Sequence, residues 1–179
     1  MKPRNTPVEK PVSIFTKILY RLMKNRFDKV IMPAKVIYAR YPKIGMAVKK
    51  LNDVENSLNE LTREEKLMIK QSVATLNGCN FCMDLTKWQI KEENLSQEKF
   101  ENPLNIHNNE NVSSREKALF EYVKEITLKS EASDQTYNQL SEFCSEEEII
   151  EITYLAAAEN FMNRLLKPLN IGSDNLCQI

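Results

Sequence analysis

The chain has 179 residues, 42% of them hydrophobic, and a formal net charge of zero. That excludes a disordered chain and leaves room for one domain with a real core, or at most two small ones. No apolar run approaches the roughly 20 residues needed to span a bilayer. With only three glycines and seven prolines, and abundant Leu, Lys, Glu and Asn, the composition favours helices over strands and turns.

The N-terminus "MKPRNTPVEKPVSIF" is basic but lacks a continuous apolar h-region, so no secretory signal is expected. The four cysteines, Cys79, Cys82, Cys144 and Cys177, are then expected in a reducing cytoplasm. There a close CxxC is catalytic or metal-binding rather than a static disulfide. Charge is uneven: residues 1–50 hold thirteen Lys/Arg against two acids, Glu9 and Asp28. A basic patch for nucleic acid or anionic lipid would fit that asymmetry. No nucleic-acid motif or aromatic interleaving accompanies it, so the favoured reading is a basic arm packed on an acidic body, in its own or a neighbouring subunit.

Residues 1–11, with Pro3, Pro7 and Pro11, read as an extended basic arm, and residues 12–179 as a single helical domain. From Val12 the apolar positions Ile14, Ile18 and Leu22, flanked by Phe15 and Leu19, predict a helix. Pro33 and Pro42 bracket a short helix, "AKVIYARY". Ile44, Val48, Leu51, Val54 and Leu58 mark an amphipathic helix after it. Three capping boxes follow, Thr62 with Glu65, Ser113 with Glu116 and Ser145 with Glu148, and place helix starts near residues 63, 114 and 146. The first of these breaks at Asn77-Gly78, and a further helix begins near Cys79. Residues 93–112 read as a polar loop with a helical turn after Ser96. "SDQTYNQLSEF" is a short helix capped by Ser133 or Asp134. The final long helix is apolar around much of its circumference, hence central, and Pro168 ends it. The expected architecture is all-α, one domain of about seven or eight helices.

Chemistry is advertised at one place, "NGCNFCMDLTKW". Cys79 and Cys82 fall on one face of a first helical turn, within disulfide reach. The partial positive charge and unpaired N–H groups there stabilise a thiolate. Zinc would need two more ligands, and the chain has one histidine, His107, and two isolated cysteines, so no metal site is expected. Two small buried hydrophobes are the inert alternative. The coincidence with a helix N-terminus favours a redox couple.

The block "LTREEKLMIKQSVATLNGCNFCMDLTKW" resembles the core of the carboxymuconolactone decarboxylase / AhpD-like (alkylhydroperoxidase D) family. "SSREKALFEYVKEIT" and "FCSEEEIIEITYLAAAENFMNRLLKPLNI" resemble the end of its longer members, so the likeness covers roughly residues 30–172. The resemblance implies an AhpD-like multihelical oligomer working by CxxCxxxH chemistry. In that family a histidine one turn after the second cysteine, and an upstream glutamate, relay protons to the thiols. This chain departs from the pattern: Thr86 stands four after Cys82, and the glutamate position twelve before Cys79 is Leu67. Thr86 cannot serve as a base near neutral pH. Glu64 and Glu65 lie near, but Glu65 belongs to a capping box. His107 reaches the site only if its loop folds back, and Asp84 points to a different face, to accept from backbone or a cation.

The expected function is a cytoplasmic thiol–disulfide oxidoreductase with weak hydroperoxide-reducing activity. Its catalytic residues are Cys82, the attacking thiol by resemblance, and Cys79, which resolves the sulfenic acid. It would need no cofactor. Its partners would be a small-molecule hydroperoxide or a thiol/disulfide substrate, a dithiol or redox-protein donor, and further copies of itself, without nucleic acid or membrane. The alternative is a catalytically degenerate helical oligomer acting as redox sensor or binding scaffold. The lactone decarboxylation of the family's namesake does not use a CxxC, so these cysteines lend it no support.

Overall fold

The computed structural model describes residues 2–95, 106, 107 and 109–178. Among these residues every regular element is helical. In chain order they are α1 (Ile14–Phe27), a π-helical turn (Ala34–Tyr38), α2 (Pro42–Ser57), α3 (Arg63–Asn77), α4 (Asn80–Glu92), α5 (Ser114–Lys129), α6 (Asp134–Ser141) and α7 (Glu146–Leu166), followed by two 3-10 segments, Lys167–Leu169 and Leu176–Gln178. The expected all-α class is the class found.

The local signals act where they were read. In each capping box the hydroxyl accepts from the third helical N–H at 3.2 Å and the acid returns the bond, at 2.9 Å for Thr62 and 2.7 Å for Ser113 and Ser145. Arg115 joins these helix starts: it donates to Glu65 at 2.7 Å and to Glu148 at 2.6 Å, tying α3, α5 and α7 together at one end. Ser133, not Asp134, caps α6.

Three expectations are adjusted. The first helix begins at Ile14, two residues later than read, with Val12 left exposed. "AKVIYARY" shortens to a π turn, because Tyr41 before Pro42 is held out of the helical region at φ −126°, ψ 78°. The long last helix closes at Leu166, two residues before Pro168, and runs directly into a 3-10 segment, Lys167–Leu169, that contains it. The turn expected after Ser96 lies outside the described residues.

α3 and α7 form a central pair that separates two apolar cores. One, between α3, α5, α6 and α7, holds Leu67, Val73, Leu119, Val123 and Ile152. The other, under α1, the π turn and α4, holds Tyr38, Phe81, Trp88, Leu166 and both cysteines of the pair. The N-terminal arm runs along the second core, pinned by Arg4 N–H to the Leu169 carbonyl and Val8 N–H to the Lys35 carbonyl, both at 3.0 Å.

Candidate functional site

The CxxC is placed by a sharp helix-to-helix break. Gly78 takes φ +64°, a conformation that costs an L side chain but not glycine. Its N–H bonds the Thr75 carbonyl at 3.0 Å, and the Cys79 N–H bonds the Ala74 carbonyl at 2.8 Å, which closes α3 with a Schellman motif. Cys79 is thereby the N-cap of α4, and Cys82 sits in its first turn.

Both thiols are free and buried, Cys79 1% exposed and Cys82 5%. The two side chains are hydrogen-bonded to each other. That bond, foremost, holds the Cys79 thiol below its ordinary value against the opposing effect of burial, and Lys167 assists. Cys82 is pushed far up by the same bond, by burial and by the nearby Glu159 carboxyl. Of the two, Cys79 is the one whose ionisation its surroundings favour.

α7 supplies the other half of the site. Asn163 Nδ2 lies 3.1 Å from the Cys82 sulfur and 2.7 Å from Glu159 Oε1. Glu159 is itself hydrogen-bonded to Cys82. Burial pushes the Glu159 carboxyl up, and Lys70 and the bonds from Cys82 and Asn163 oppose that shift. Asn163 is fixed in turn: Asn77, the last residue of α3, donates to its Oδ1 at 3.0 Å and to Asn160 Oδ1 at 2.9 Å. Lys167 donates to the Asn77 carbonyl. Behind Glu159, Lys70 meets Glu55 at 3.0 Å, and Glu55 meets Arg63 at 3.7 Å.

Above Cys82 opens a cavity of about 570 Å³. Its apolar lining is drawn largely from α1 (Leu19, Met23), α4 (Phe81, Leu85) and α7 (Met162); its polar lining is Lys49, Asn52, Lys70, Cys82, Thr86 and Glu159. Phe15, Leu22 and Met46 stand exposed at its rim. Tyr38 also lines it, its hydroxyl pushed well up by burial and by Cys82.

Thr86 does face this cavity, so it occupies the side of α4 expected of it. Leu67 does not: it is fully buried in the other core. His107 is held at Glu121 on α5, 2.6 Å away. Asp84 accepts from the backbone N–H groups of Asp174 and Leu176 at 3.0 Å, which anchors the C-terminal segment to α4. Cys144 lies in the other core, and Cys177 follows Leu176 in the segment held by Asp84. Among the described residues no group of three His, Cys, Asp or Glu could hold a metal ion. None of the helices described is long and apolar enough to cross a membrane.

Glu159, Asn163 and Lys70 escaped the sequence reading. A signal existed: in "AAAENFMNRLL", Glu159 and Asn163 stand four apart on a helix otherwise apolar enough to be buried, so they share one inward face.

No protein-family model matches the chain. The uncharacterized protein YdfG of Bacillus subtilis is 27% identical over 141 residues, 75% of this chain and 92% of that one. A crystal structure from Agrobacterium tumefaciens, a protein of unknown function put forward as the antioxidant defence protein AhpD, is 26% identical. It superposes with a TM-score of 0.70 over 77% of this chain and 96% of its own. The debrominase Bmp8, solved as a Cys-to-Ala variant with 2,3,4-tribromopyrrole, gives a TM-score of 0.82 over 99% of this chain and 96% of its own, at 15% identity; that likeness is one of fold.

Proposed function

We propose that this chain, a member of the carboxymuconolactone decarboxylase / AhpD-like family, is a thiol–disulfide oxidoreductase that reduces hydroperoxides through Cys79 and Cys82. The observation that carries the reading is a pair of hydrogen-bonded thiols at a helix N-terminus, of which Cys82 lines an apolar cavity. Cys82 sulfur attacks the outer peroxide oxygen; an S–O bond forms, the O–O bond breaks, and the alkoxide leaves as alcohol. Cys79 sulfur then attacks the Cys82 sulfenic acid: the S–S bond forms, the S–O bond breaks, and the leaving hydroxide takes up the proton given by the Cys79 thiol and departs as water. The sulfur pair has lost two electrons and the peroxide has gained them. An external dithiol returns the pair to its reduced form. Four free thiols suit a reducing cytoplasm.

The test is a thiol count before and after an organic hydroperoxide. Loss of a pair of thiols per chain, restored by dithiothreitol and absent in Cys79→Ser, is the expected result. Unchanged thiols would favour the degenerate scaffold, for which Thr86 and Leu67 in place of ionisable relay groups already speak.

A further inference from the structure

Resting on that reading, we infer that Glu159 is the proton carrier of the reaction, doing from α7 the work that a histidine at position 86 would do from α4. The geometry assigns it that role. Its carboxyl is hydrogen-bonded to Cys82, held by Asn163 at 2.7 Å, and lines the cavity a peroxide would enter. Among the described residues no other carboxylate borders that cavity. Glu55 is engaged by Lys70 at 3.0 Å, and Asp84 is occupied by backbone donors.

The proton account closes without another group. Glu159 carboxylate takes the S–H proton of Cys82 as sulfur attacks the outer oxygen. As the O–O bond breaks, the now neutral carboxylic acid gives that proton to the departing alkoxide. The alcohol leaves, the carboxylate is restored, and Cys82 is a sulfenic acid. Burial suits the task, because a carboxyl whose charged form is disfavoured holds a transferred proton more readily than an exposed one. Lys70 faces the same carboxyl and opposes that shift, so it is a positioning residue that keeps Glu159 able to lose its proton again. Between Glu159, Lys70 and Glu55 a small cavity of about 20 Å³ has room for about one water, a link from Glu159 toward the Lys70–Glu55 pair.

A merely electrostatic role has the opposite sign, which makes the idea testable. The negative charge of Glu159 raises the Cys82 thiol, so Glu159→Gln, an isosteric change, increases the Cys82 thiolate fraction. In a Cys79→Ser background, alkylation of Cys82 by iodoacetamide expels iodide and needs no proton for its leaving group. It should run at least as fast in Glu159→Gln as in the parent. Sulfenic acid formation with an organic hydroperoxide, which does need that proton, should fall by about 10²-fold or more. If both reactions speed up together, Glu159 is only a charge and the inference is overturned. If both fall together while circular dichroism shows the folded helix content, the carboxyl serves only deprotonation or the site's shape and delivers no proton to the leaving oxygen, and the inference is again overturned. Were Cys82 of the Glu159-containing parent itself inert to hydroperoxide, the oxidoreductase reading would fail, whatever the variant does.

Discussion

Asn163 donates to the sulfur of Cys82 over 3.1 Å, and the same amide nitrogen serves Glu159, so one NH2 group sets the position of the nucleophile and of its neighbouring acid. Asn163→Leu keeps the volume and removes the donor. A hydrogen bond to a charged group is worth about 1.5 kcal/mol or more, so the Cys82 thiolate should become about tenfold scarcer. Alkylation of Cys82 in a Cys79→Ser background would slow accordingly, the opposite of the Glu159→Gln result. An unchanged alkylation rate would mean that the Asn163 contact is incidental.

Thr86 is buried and faces the cavity beside Cys82, one helical turn along α4. With Glu159 intact, Thr86→His should change hydroperoxide turnover little, since a proton carrier is already present. In the Glu159→Gln background the imidazole should recover about tenfold of the lost rate, within the roughly 10²–10⁴-fold range of general acid–base catalysis. Coupled peroxide consumption reads both. A large gain in the parent background would show that Glu159 does not carry the proton well.

Arg115 lowers the Glu148 carboxyl directly. It also lowers Glu65, where its hydrogen bond and those of Thr62 outweigh the upward push of burial. Carboxyls depressed on folding stabilise the native state above their unfolded value, and that stability is lost as pH falls through the folded one. Arg115→Met should therefore cost about 2 kcal/mol near neutrality, with the gap in Tm closing as pH is taken below about 4. A gap of constant width across a pH series of thermal melts would assign the loss to packing instead.

The outward face of α1 presents Ile14, Phe15, Ile18 and Leu22, all exposed in the single chain. Such a contiguous apolar stripe is a liability in water unless another surface covers it. A homo-oligomer, most simply a dimer or trimer using this face, is the expected solution state, and Ile18→Glu with Leu22→Glu should shift it to monomer. Light scattering at micromolar concentration decides; a monomeric parent protein would rule the assembly out.

Much of the fold was legible because its signals are local. A capping box spans four residues, and Thr62, Ser113 and Ser145 each start a helix where their side chains say so. Asn77-Gly78 broke α3 as read, because only a left-handed residue can end a helix in that way. The thiol pair was legible for the same reason. Its surroundings were not: Asn163 is 81 positions from Cys82, and nothing in the intervening sequence fixes which face of α7 meets α4. The π turn was hidden by the opposite problem, since Pro33 and Pro42 bound it while the residues between suit either helix.

The depth of the two sulfurs has a consequence for recycling. Once joined, they would lie beneath the apolar walls of the cavity, with Cys79 and Cys82 showing next to nothing to solvent. A reductant has to bring its own thiol down that passage, so size becomes a filter that potential alone would not impose. A slender dithiol could reach the bond in the folded protein, whereas the active face of a globular donor would first have to part α1 from the body.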